Sequence, residues 1–227
     1  MSDLIFDDPL TGGSEAPALF HGALHKPGKI VCIGRNYREH AKELGNEVPT
    51  EPLFFLKPST SIIREGDAIV LPTQSGRVEF EGEIGIVIGS RLKNASESEA
   101  VAAVSGVVAL NDVTARDLQK KDSQWTRAKG FDTFCPVGEV ATGRHDLGNL
   151  VVITRVNGEE RQRASTSELV FSIPMVLSYV SHVMTLEPGD LVATGTPAGV
   201  GPLKAGDVVE VEIEGLSRVS NPVQGPG

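Results

Sequence analysis

The apolar positions of this chain fall mostly into short runs bounded by Gly, Pro, Asn or Asp, the pattern of strands rather than helices. Strands are predicted over 29–33, 53–56, 68–71, 77–88, 150–156, 160–163, 191–194 and 207–213. Residues 100–110 change from helical to strand character and end at Asn111-Asp112. Asn157-Gly158 separates two of the strands and is a strong two-residue hairpin signal. Short helices are predicted over 38–44 and 114–121. The clearest helix covers 172–185, where Ile173, Val176, Leu177, Val180 and Met184 repeat at three- to four-residue spacing. Ser172 suits its N-cap and Pro174 its first turn. Strands outnumber helices, and hairpins outnumber strand–helix–strand units. The fold class is therefore α+β, mostly β and mostly antiparallel, not a doubly wound sheet. Residues 1–28 form a polar lead segment with Gly12, Gly13, Pro17 and Pro27, expected to pack loosely or as a short hairpin. Residues 29–227 form the main domain.

Composition narrows the partners. The chain has 227 residues, 40% of them hydrophobic, enough for a sizeable core. Lys plus Arg is 21 and Asp plus Glu is 30, a formal net charge of −9. That balance excludes a general nucleic-acid binder, which needs a basic face, and an anionic membrane surface as partner. Cys32 and Cys135 stand far apart among apolar neighbours, without a CxxC pair or a Cys/His cluster. They read as buried free thiols, and a zinc finger or disulfide scaffold is excluded. The acidic start lacks the basic and apolar regions of a signal peptide. The longest stretch without Asp, Glu, Lys or Arg is 18 residues, 169–186, and it carries Ser, Thr, Pro and His. It is too polar and too short to span a membrane comfortably. A soluble cytoplasmic protein is expected.

Five segments carry candidate chemistry. In the strand predicted over 77–88, Glu79, Glu81 and Glu83 alternate with apolar residues and would share one face. Such alternation is common on solvated sheet surfaces. However, the strand continues as an apolar run over 84–88 that looks buried, and carboxylates at its mouth need a partner. A divalent cation such as Mg²⁺ or Mn²⁺ would relieve their repulsion. Asp112 either caps the segment after its strand or adds a third carboxylate to a cleft, with Thr114, Arg116 and Asp117 around it. His40 and Glu43 are i, i+3 neighbours on the first helix. A carboxylate so placed orients imidazole as a water-activating base, although chance pairs of this kind occur on charged helices. Lys129 lies between small and aromatic residues and reads either as a substrate-anchoring cation or as surface. The glycines of the 194–201 loop let backbone amides approach an anion, or simply make a tight turn. That loop lacks the phosphate-loop pattern.

Seven segments occur in family order between about Ile33 and Gly201: IGRNYREHAKE, EPLFFLKPST, FEGEIGIVIG, ALNDVTARDLQ, WTRAKGFDTFCPVG, FSIPMVLSYVS and LEPGDLVATGTPAGVG. Together they resemble the fumarylacetoacetate hydrolase family, in its short form with the catalytic domain alone. The resemblance implies a mixed β-roll or sandwich with a few short helices, and a homodimer. It implies Mg²⁺ or Mn²⁺ held by Glu81, Glu83 and Asp112, with Glu79 beside the ligands rather than among them. It carries His40 and Glu43 over as the catalytic base pair and Lys129 as the catalytic cation. Arg35, Lys57, Gln119 and Thr196 become substrate-binding residues. The implied reaction is hydrolysis of a C–C bond in an acylpyruvate such as fumarylpyruvate, with a small 2-oxo acid as the partner. Decarboxylation of oxaloacetate and isomerisation of 2-hydroxyhepta-2,4-diene-1,7-dioate are the alternatives on this scaffold. A non-catalytic cation-binding β module is the alternative of a different class.

Overall fold

The computed structural model describes residues 27–43, 45 and 47–226. The lead segment up to residue 26, with its proposed hairpin, lies outside them, as do Leu44 and Asn46. The described chain is mostly β. A six-stranded sheet runs in the order Ala141–Thr142, Val104–Asn111, Gly82–Ile88, Leu191–Ala193, Ile30–Gly34, Leu53–Lys57. Within it only Ile30–Gly34 and Leu191–Ala193 pair in parallel. A five-stranded sheet runs Glu159–Ser165, Val151–Val156, Val208–Ile213, Ser217–Gln224, Ile69–Val70. A small third sheet joins Gly201–Pro202, Val78–Phe80 and Thr114–Ala115.

The two large sheets share one core. Ile84, Ile86, Val107 and Ala109 of the first cluster with Val152, Val211, Ile213 and Val219 of the second, and with Val176, Leu177 and Val180 of the Ile173–Val183 helix. Burial of each of these Val, Leu and Ile side chains contributes about 1.5–3 kcal/mol, which sets the sandwich. Ser172 caps that helix by accepting a hydrogen bond from the Met175 N–H, with Pro174 in the first turn, as the sequence predicts. Asn157 and Gly158 turn the hairpin with φ of 53° and 81°, the two positive values a type I′ turn requires. Cys32 and Cys135 are both buried and free. Among the described residues, no helix is long and apolar enough to cross a membrane.

Two predicted elements change. The strand expected over 77–88 divides at Glu81 into Val78–Phe80, in the small sheet, and Gly82–Ile88, in the six-stranded one. At the break the Glu81 N–H donates to Asn111 Oδ1 at 2.9 Å, and the Glu81 carbonyl accepts from the Asp112 N–H at 2.8 Å. Gly82 allows the second sheet to press in, because a Cβ there would lie 1.9 Å from Thr154 Oγ1. Glu79, Glu81 and Glu83 are therefore not three steps of one ladder. The strand at 207–213 is also not the last, since Ser217–Gln224 follows it and pairs with it. Its Ser, Arg, Asn and Pro hide the alternation of the buried Val219 and Val223.

Candidate functional site

Strand register builds the acidic cluster. Gly82 is opposite Asn111 across the sheet, so Glu81 and Glu83 flank the end of the strand that delivers Asp112. All three carboxylates are buried, and one oxygen of each lies within 4.8 Å of the others. Glu83 accepts the Gly195 N–H at 2.7 Å. Lys129 Nζ donates to Glu81 Oε2 at 2.7 Å and to Asp112 Oδ2 at 2.6 Å. Lys57 Nζ donates to Asp112 Oδ1 at 2.6 Å and Arg116 Nη2 to Glu81 Oε1 at 2.6 Å.

These contacts divide the carboxylates. Burial pushes the Glu81 carboxyl up, but Lys129, Arg116 and His40 together pull it well below the usual range. Burial raises Glu83 well above it, and repulsion from Asp112 and Glu81 adds to the rise more than Lys129 and the Gly195 amide offset it. Lys129 is buried too, which disfavours its charge, yet Asp112 and Glu81 overcome this and raise its pKa. An all-oxygen donor set with one carboxylate destabilised by the other two fits a hard divalent cation.

The same cavity, about 460 Å³, is lined by the three carboxylates and by Arg35, His40, Glu43, Gln119, Lys129 and Thr196. His40 is buried on the Arg38–Glu43 helix, and its Nδ1 stands 3.2 Å from Glu43 Oε2. Glu43 also accepts the Gly199 N–H at 3.1 Å, which ties the helix to the Gly-rich loop. Arg35 has a φ of 58°, left-handed backbone for a residue with a side chain, and its guanidinium lies 6.0 Å from the Trp125 ring centroid. Phe55 meets Trp125 edge-on, and Lys129 Nζ sits 5.0 Å from the Phe55 centroid. These rings form an apolar wall beside the charged floor.

The structure does not bring every candidate residue to the cavity in its expected role. Lys57 is not among the lining residues. It is buried behind Asp112, where its ammonium holds that carboxylate and the Val113 carbonyl. Thr196 lines the cavity, but its hydroxyl donates to the Gly82 carbonyl at 2.9 Å and so has no proton left for a ligand. Gln119 Oε1 accepts from Arg116 Nη1 at 2.6 Å. Glu79 is buried in the small sheet, held by Arg116 and Arg77.

Arg116, which the polar run after Asp112 places near the cleft, does more there than its position in the sequence indicates. One guanidinium spans Glu79, Glu81 and Gln119. Its position just after Asp112, in a polar run, was the available signal. The short Thr126–Lys129 helix, which delivers Lys129, gives too few residues for a periodic pattern.

This buried acidic cluster on a two-sheet scaffold defines a class of enzyme fold, and comparison with known proteins identifies it. The family model for the fumarylacetoacetate (FAA) hydrolase C-terminal domain matches residues 29–224. The chain belongs to that family. It is 45% identical over 195 residues to the mitochondrial oxaloacetate decarboxylase of Dictyostelium discoideum, covering 83% of this chain and 89% of that protein. It is 42% identical over 203 residues to a mitochondrial oxaloacetate tautomerase of Bos taurus, covering 87% of this chain and 92% of the relative. The crystal structure of 2-hydroxyhepta-2,4-diene-1,7-dioate isomerase from Mycobacterium marinum matches with a TM-score of 0.82 and 46% identity, over 89% of this chain and 76% of that one.

Proposed function

We propose that the protein is a metal-dependent enzyme that turns over a 2-oxo acid through a pyruvate-type enolate. The observation that carries this reading is that the His40–Glu43 pair and the Glu81, Glu83 and Asp112 carboxylates line one cavity. Mg²⁺ or Mn²⁺ held by those three carboxylates would supply Lewis-acid polarisation of the 2-oxo group and charge stabilisation of the enolate. Lys129 keeps its proton and adds a second positive charge beside the developing oxyanion. Glu43 orients the His40 ring, so that its other nitrogen can take a proton. The Phe55–Trp125 wall excludes water from one side of the substrate.

Two routes to the enolate are consistent with this arrangement. With an acylpyruvate, His40 takes a proton from water, the oxygen adds to the distal carbonyl, and the C–C bond breaks to give pyruvate enolate and a carboxylic acid. The His40–Glu43 pair, with the imidazole buried and the carboxylate beside it, favours this reading. With oxaloacetate, loss of CO₂ or a proton shift gives the enolate or enol without added water. The names of the Dictyostelium and bovine relatives favour that reading. A panel of acylpyruvates, oxaloacetate and dienoate diacids, assayed with Mg²⁺ and with Mn²⁺, tests the proposal. Turnover of none of them with either metal would reject it. Pyruvate release from acylpyruvates that is abolished in His40→Ala selects hydrolysis.

A further inference from the structure

Among the described residues, the hairpin of Val151–Val156 and Glu159–Ser165 contributes no side chain to the cavity. It nevertheless reaches the backbone between the two glutamates. Thr154 and Gln162 face each other across the hairpin, and both abut Gly82. Gln162 Oε1 accepts the Gly82 N–H at 3.0 Å. Gln162 Nε2 donates to Thr196 Oγ1 at 2.8 Å and to the Pro197 carbonyl at 2.8 Å. Thr196 Oγ1 in turn donates to the Gly82 carbonyl at 2.9 Å. The bonds form a closed ring around one residue.

That ring has only one orientation. A flipped Gln162 amide would set N–H against N–H at Gly82 and carbonyl against carbonyl at Pro197, in a site where Gln162 is 1% exposed. The Gly82 N–H belongs to the peptide joined to Glu81, and the Gly82 carbonyl to the peptide joined to Glu83. Both peptide planes between the two carboxylates are thus gripped, one by Gln162 of the second sheet and the other by Thr196 of the Gly-rich loop, which Gln162 in turn holds. Rotation of either plane would swing one carboxylate away from the other and from Asp112. Gly82 has no side chain to resist such a rotation, so the restraint must come from outside the strand.

We propose that Gln162, acting with Thr196, is a positioning residue that sets the spacing of Glu81 and Glu83 for a divalent cation. The inference rests on the metal reading above. It assigns to the second sheet a part in the site that no cavity-lining residue reveals. Residues that orient metal ligands commonly change affinity 10- to 100-fold when lost.

The test uses the full chain and Mn²⁺ alone. Gln162→Met keeps length and bulk but removes all three bonds, and Thr196→Val removes the hydroxyl at constant shape. Mn²⁺ affinity is read by titration with electron paramagnetic resonance, and metal-free stability by thermal melting. Gln162→Met and Thr196→Val should each raise the Mn²⁺ Kd by about 10-fold or more. The double variant should lose less than the product of the two, because both act through one ring. Asn221→Ala serves as a control, since Asn221 is buried in the same sheet and bonds Arg64 and Asp67 carbonyls away from the site. It should lower the melting temperature and leave the Kd unchanged. Wild-type Kd in both ring variants, or an equal loss in the Asn221 control, overturns the inference. Should wild-type protein take up no Mn²⁺, or Glu81→Ala bind it normally, the metal reading itself fails and this inference falls with it.

Discussion

Lys129 Nζ lies 2.6 Å from Asp112 Oδ2 in a pair that is almost entirely buried, and the same ammonium reaches Glu81 at 2.7 Å. One lysine is therefore shared by two of the three carboxylates that would hold a cation. The ammonium also stands over the Phe55 ring, 5.0 Å from its centroid.

Removal of that charge exposes the repulsion it masks. Lys129→Met should cost about 3–5 kcal/mol of metal-free stability, the usual effect of leaving buried charges unpaired. Saturating Mg²⁺ should return part of the loss, since it restores positive charge to the same oxygens. Chemical denaturation with EDTA and with Mg²⁺ measures both. Equal losses in the two conditions would show that Lys129 and the cation do not share the carboxylates.

Metal binding should itself stabilise the fold. Ligand at 100 times its Kd contributes about 2.7 kcal/mol by mass action. The wild-type melting temperature should therefore rise with Mn²⁺ and return with EDTA. Asp112→Asn should abolish that rise, read by differential scanning fluorimetry across a Mn²⁺ series.

The base pair should be separable from the cation site. His40→Ala and Glu43→Gln should lower acylpyruvate turnover by about 10²- to 10⁴-fold, the range for a lost general base. Mn²⁺ affinity should stay near wild type in both. Steady-state kinetics beside a metal titration checks this, and a parallel fall in affinity would place the pair in the metal site instead.

Gly82 tests the contact between the sheets. Gly82→Ala would set its Cβ 1.9 Å from Thr154 Oγ1, an overlap that requires backbone movement. A loss of about 1–3 kcal/mol is expected from overpacking. Adding Thr154→Ala should recover part of it, because the atom that clashes is gone. Additive losses in urea unfolding would mean that the backbone shift, not Thr154, dominates.

Local pattern determined much of this protein. The helix capped by Ser172, the hairpin at Asn157-Gly158 and most strands follow from periodicity and turn chemistry, which depend on neighbours a few residues apart. The ordered motifs also marked Glu81, Glu83, Asp112, His40, Glu43 and Lys129, and the structure gathers these around one cavity. Tertiary structure decided what local pattern does not encode. The strand over 77–88 breaks at Glu81 because Asn111 and Gln162 capture its backbone groups from other strands. Lys57 turns behind Asp112 rather than into the cavity, and Arg116 gathers Glu79, Glu81 and Gln119 onto one guanidinium. The ring through Gln162 joins residues 34 and 80 positions apart, so no window along the chain contains it. Alternation along a strand reports which face a side chain takes; only the packing of the two sheets determines which partner it meets there.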